Sequence, residues 1–148
     1  MKKIVAIIII AIESIPLGYS QIPNGFWQNG TSKIEVKLNA GYFFSKNHKF
    51  EYIISEYDGL NPIITFGGTY SIKNKNIKFY ITYVKKRIGG KLSRDSQYRL
   101  NDSWAFIGGK ILKIELKPPI IESEENIQIT KNYISFADKY YRTTRETQ

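Results

Sequence analysis

The chain predicts an all-β fold: an antiparallel up-and-down barrel of about eight strands, preceded by a signal peptide. Three observations predict it. Apolar residues recur at every second position over long runs, the period of a strand with one buried face. Aromatic side chains make up 14% of the chain, with 11 Tyr and 8 Phe, which favours strands over helices. Turn-forming residues punctuate the sequence about every 8 to 12 positions, and no amphipathic helical window follows the leader. A linear order of hairpins favours a closed barrel over a sandwich, because closure removes the exposed edges.

The clearest alternation spans residues 66–83. Phe66, Gly68, Tyr70 and Ile72 share one parity, and Ile77, Phe79, Ile81 and Tyr83 share that of a second strand. Lys73, Asn74, Lys75 and Asn76 between them tolerate tight-turn geometry. This hairpin fixes which face points inward.

The remaining elements follow in order. Lys2 and Lys3, the apolar run 4–12, Pro16, and the small residues Gly18 and Ser20 read as a signal peptide over residues 1–20. The apolar run is too short for a bilayer, which needs about 20 residues. Cleavage is expected between Ser20 and Gln21, leaving a barrel domain at 21–148 that is secreted or periplasmic and has no transmembrane segment. Residues 33–38 alternate cleanly, with Ile34, Val36 and Leu38 inward, and 42–44 form a short strand. Residues 46–48 turn the chain into a strand over 49–57, with Phe50, Tyr52 and Ile54 inward. Asp58-Gly59 and Asn61-Pro62 end it.

Beyond the central hairpin, residues 85–95 read as a basic, glycine-bearing loop, and 97–100 as a short strand. Residues 104–107 and 110–116 read as a second hairpin around Gly108-Gly109, with Leu112, Ile114 and Leu116 inward. Pro118-Pro119 stop the ladder, 122–126 form an acidic loop, and strands over 127–130 and 133–142 close the domain. Residues 143–148 fray.

The inventory excludes much chemistry. The chain has no Cys and one His, His48. That removes disulfides, thiolate sites, cysteine nucleophiles and His-rich metal centres. No phosphate-binding loop, zinc-protease, nucleophile-elbow or dinucleotide motif is present. Asp95 and Asp102, near Arg94 and Arg99, read as surface ion pairs. No metal, cofactor or enzymatic activity is expected.

The formal charge is +9, and losing Lys2, Lys3 and Glu13 with the leader lowers it by one. Such a balance favours polyanions. Lys85, Lys86, Arg87, Lys91 and Arg94 form the densest positive run and the candidate anion-binding surface. With Tyr83 and Tyr98 nearby, the run holds what a nucleic-acid strand requires. Export makes nucleic acid a poor partner and anionic lipid or acidic glycan a better one. An ordinary solvated basic surface is the competing reading.

Asn24-Gly25-Phe26-Trp27 resembles the G-x-W opening of lipocalins and related calycin barrels. The resemblance implies a tryptophan, here Trp27, closing the barrel base, with an arginine of the last strand stacked across it. Arg142, in Tyr140-Tyr141-Arg142, is placed for that role, and such stacking is favourable by roughly 0.5–2 kcal/mol. Phe66, Tyr70, Phe79, Tyr83, Trp104 and Phe106 are the candidate interior lining, with Glu56 at the mouth. Gly67-Gly68 either widen a pocket or mark a bend or bulge. The function expected is non-enzymatic binding of a small apolar or amphipathic ligand within the barrel. The alternative is a cell-envelope interaction protein with a filled barrel, binding anionic lipid, glycan or protein through its basic surface.

Overall fold

The computed structural model describes residues 21–33, 39–55, 58–94 and 104–143. The signal peptide and the strands expected over 33–38 and 97–100 lie wholly or largely outside the described residues. Eleven strands and no helix occur among the described residues: β1 (Gly25–Asn29), β2 (Gly41–Ser45), β3 (Lys49–Ile53), β4 (Ile63–Lys73), β5 (Asn76–Ile88), β6 (Lys91–Ser93), β7 (Ala105–Ile107), β8 (Lys110–Glu124), β9 (Gln128–Ile129), β10 (Tyr133–Ser135) and β11 (Lys139–Thr143). Nine form one sheet in the order β8-β5-β4-β3-β2-β1-β11-β10-β9, and β6 pairs with β7. Every pairing is antiparallel.

The turns form where the sequence supplies residues that accept positive φ. Asn47 and His48 join β2 to β3, and Asn74 and Lys75 join β4 to β5, with φ between 52° and 62°. Asn is among the residues that enter this region most readily. The alternation then directs one aromatic set to the concave side. Tyr42, Tyr52 and Phe66 are cross-strand neighbours on β2, β3 and β4, as are Phe44 and Phe50.

The sheet coils strongly. Tyr42 on β2 is separated from β5 by the two strands β3 and β4, yet its ring is 5.4 Å from that of Phe79. It also meets Phe136, in the β10–β11 turn, at 5.4 Å and Tyr140 at 5.1 Å. Ile22, Trp27, Phe44, Phe50, Tyr70, Ile77, Phe79, Ile127, Ile134 and Tyr140 form the buried cluster. Fully burying each such side chain contributes about 1.5–3 kcal/mol.

The expected closed barrel is not found. No ladder joins the edge strands β8 and β9 among the described residues. Closure needs edges of matched length and stagger, but β8 has 15 residues and β9 has two. Near that seam the Ile127 N–H donates to the Lys75 carbonyl at 2.7 Å. Two further expectations are corrected at β8. Pro118-Pro119 do not end the ladder: Glu115 pairs with Tyr83, Ile120 with Ile81, and the intervening residues bulge out. The expected acidic loop therefore begins inside a strand that runs to Glu124.

Candidate functional site

Of the candidate interior set, only Phe66, Tyr70 and Phe79 are brought together. Tyr70 and Phe79 are 2% and 4% exposed and belong to the packed core. Phe66 packs on Tyr52 with ring centres 5.1 Å apart. Trp104 and Phe106 stand outside the core, at and just before β7, 46% and 40% exposed. Glu56 lies outside the described residues.

Tyr83 points to the opposite face, and the glycine pair explains why. Gly67 pairs with Tyr83, but Gly68 pairs with Ile81, so Thr82 is the extra residue of a bulge. One extra residue flips the parity of everything beyond it. A Cβ on Gly68 would sit 1.9 Å from the Tyr80 carbonyl oxygen, which no side chain permits. Gly67-Gly68 thus mark a bulge. Ile77, Phe79 and Ile81 stay inward, and Tyr83 turns outward.

On that outer face, Glu51, Gly67, Tyr83 and Glu115 lie in one row across β3, β4, β5 and β8. Gly67 leaves room for the Tyr83 ring, since a Cβ there would lie 2.6 Å from the phenol oxygen. The Tyr83 O–H donates to Glu51 Oε1 at 2.5 Å, and Lys85 Nζ donates to the same oxygen at 2.8 Å. Lys113 Nζ sits 4.2 Å from the Tyr83 ring centre and 3.3 Å from Glu115. Burial pushes the Glu51 carboxyl up, but hydrogen bonds from Lys85 and Tyr83 outweigh it and hold the group below its ordinary value. Burial, then Glu51 itself, raises the Tyr83 phenol. Lys85 and Glu51 side chains keep 36% and 32% exposure, so the pair adds at most about 1 kcal/mol. This row fastens the basic end of β5 to the sheet.

The basic segment expected as a loop is strand. Lys85, Lys86 and Arg87 continue β5, and Lys91 opens β6. Gly108-Gly109 are likewise not a hairpin turn. The chain passes through them from β7 to β8, while Gly89-Gly90 carry β5 into β6. The two glycine pairs face each other as a crease in one long two-stranded ribbon. All four have positive φ, from 72° to 98°. A Cβ on Gly90 would lie 2.9 Å from the Ile107 carbonyl, and one on Gly109 2.7 Å from that of Ile88. The Arg87 guanidinium donates to the Gly108 carbonyl across the crease. The Phe106 N–H donates to Gly59 at 2.9 Å, setting exposed Leu60 beside the tip.

The ribbon mixes cations with apolar side chains rung by rung. Lys86 faces Leu112, Arg87 faces Ile111, Ile88 faces Lys110, and across the crease Lys91 faces Ile107. Leu92 faces Phe106, and the Arg94 guanidinium lies 5.4 Å from the Trp104 ring centre. The Lys110 and Lys113 cations and the apolar partners escaped the sequence reading. The signal present was two Gly-Gly pairs flanked by matching basic and apolar runs.

At the other end, Trp27 and Arg142 are cross-strand neighbours on β1 and β11. The guanidinium lies 5.9 Å from the indole centre and donates to the Asn24 carbonyl at 3.1 Å. Trp27 is wholly buried, with its Nε1–H donating to Pro23. This corner supports the core, with Arg142 exposed at its edge.

Among the described residues no group of His, Asp and Glu is placed to hold a metal ion. Among the described residues no helix is long and apolar enough to cross a membrane. No protein-family model, curated protein or solved structure matches the chain.

Proposed function

We propose that this chain is a non-enzymatic interaction protein that binds an anionic partner at the cell envelope through its two-stranded ribbon. One observation carries the reading. The described residues 85–94 and 104–114 hold seven Lys or Arg and no Asp or Glu. A like-signed field concentrated at one end raises the local concentration of a polyanion and steers its approach. Glu51 partly offsets Lys85 and Glu115 partly offsets Lys113, both at the ribbon's root. The charged start and apolar run of residues 1–12 support an exported location. A small ligand within a barrel is less well supported, because its lining is divided among core, outer face and tip.

The test is retention on a heparin column. Changing Lys86, Lys91 and Lys110 to Gln should move elution to clearly lower salt. Changing Lys33, Lys46 and Lys73 to Gln removes the same charge from exposed positions elsewhere and should move it much less. Equal shifts for the two triple variants would discard the reading, leaving only net charge.

A further inference from the structure

We infer that the anionic partner is the surface of a lipid bilayer, with the ribbon lying at headgroup depth. This rests on the anion-binding reading and deepens it. An acidic glycan needs only the cations. The ribbon also exposes Ile88, Leu92, Trp104, Phe106, Ile107 and Leu112 at 40–48% of their surface. They stand on both faces of the ribbon, Leu92 with Phe106 on one and Ile107 on the other, and exposed apolar side chains gathered on one appendage mark a contact site. Moreover, the apolar side chains alternate with cations across the rungs. Long Lys and Arg stems can lie along apolar neighbours while their charged ends reach phosphate. Anionic headgroups above acyl chains offer both partners in that order.

The geometry also limits depth. The ribbon has open backbone edges, and unpaired N–H and C=O groups are not tolerated in hydrocarbon. It therefore lies within the interface rather than crossing. Trp104 beside Arg94 belongs at that level, where an indole keeps one face apolar and its N–H wet.

The chain's two tryptophans supply the experiment. Trp27 is wholly buried and Trp104 is 46% exposed, so an emission change reports the tip. The full chain is titrated with vesicles of phosphatidylglycerol and phosphatidylethanolamine, with phosphatidylcholine vesicles as control. Anionic vesicles should shift Trp104 emission to the blue, brominated acyl chains should quench it, and Trp27→Phe should leave both effects in place. Phe106→Ser with Ile107→Ser should weaken partitioning about tenfold or more while heparin retention holds. Leu112→Ser, on the other side of the crease, should weaken it in the same direction. Heparin retention with no vesicle binding would overturn the inference in favour of a glycan. Vesicle binding without an emission shift and indifferent to these serines would overturn it too, as adsorption by charge alone. Both outcomes leave the anion-binding reading standing, whereas failure of that reading shows only in the lysine variants.

Discussion

Gly68→Ala is the sharpest probe of how this sheet is built. The new methyl carbon would fall 1.9 Å from the Tyr80 carbonyl oxygen and 3.0 Å from the Thr82 nitrogen. Both atoms belong to the backbone of β5, so neither can swing aside as a side-chain end would. Relief requires parting β4 from β5 at the bulge. Overpacking costs about 1–3 kcal/mol, and a clash against paired backbone belongs at the top of that range, about 3 kcal/mol. For a domain of this size that lowers Tm by roughly 10 °C. Gly30→Ala provides the contrast, because Gly30 has φ of 76° and nothing within 4 Å of its missing Cβ. It should cost only the left-handed penalty, about 1–2 kcal/mol. Urea denaturation followed by circular dichroism reads both variants. Should Gly68→Ala prove milder than Gly30→Ala, the bulge and the outward turn of Tyr83 would both be wrong.

Phe79→Ala removes a ring that touches Tyr42, Phe50 and Phe136 and should cost about 3–5 kcal/mol in the same assay. Glu51→Gln should cost no more than about 1 kcal/mol at neutral pH. The folded carboxyl lies below its ordinary value of 4.5, so its contribution is present above that pH and fades as pH falls through the folded value. Stability measured against pH should show this acid-side loss in the natural chain and lack it in Glu51→Gln. At the alkaline end, the phenols of Tyr42, Tyr52, Tyr70, Tyr83 and Tyr140 are all raised above 10.0, with burial the largest cause of each. Their contribution is complete below pH 10 and is lost as pH climbs toward the folded values. Tyrosinate absorbance from these five should therefore grow in together with loss of the sheet; their ionisation near pH 10 in an intact sheet would contradict the burial described.

Strict alternation made most of the sheet legible. Phe50, Tyr52 and Phe66 were assignable because one face of their strands is buried, and the turn at Asn74-Lys75 because few residues accept that backbone. Tyr83 was assigned to the wrong face, since one extra residue opposite Gly67-Gly68 reverses all later parity without altering the local pattern. The ribbon was hidden for a different reason. Strands exposed on both faces carry no period-two signal, so Lys85, Lys86 and Arg87 resembled loop. Gly108-Gly109 carried the usual mark of a turn, but their conformation is set by Gly89-Gly90, nineteen positions away. Barrel closure depends on how two distant edges match in length, which no window of sequence contains. The nearness of Trp27 and Arg142 was expected only from the resemblance of Asn24-Gly25-Phe26-Trp27 to a G-x-W opening; alternation alone does not pair β1 with β11.

The four-glycine crease makes the end of the ribbon a separable part. Among the described residues, none of the buried core lies between Gly89 and Gly109. Evolution, or an engineer, can therefore lengthen, trim or exchange what hangs beyond that joint without renegotiating the aromatic interior. A tight link from Ile88 straight to Lys110 should leave a chain that still folds but lacks Lys91, Arg94, Leu92, Trp104, Phe106 and Ile107. Such modularity lets one stable chassis acquire new destinations by revising a single appendage.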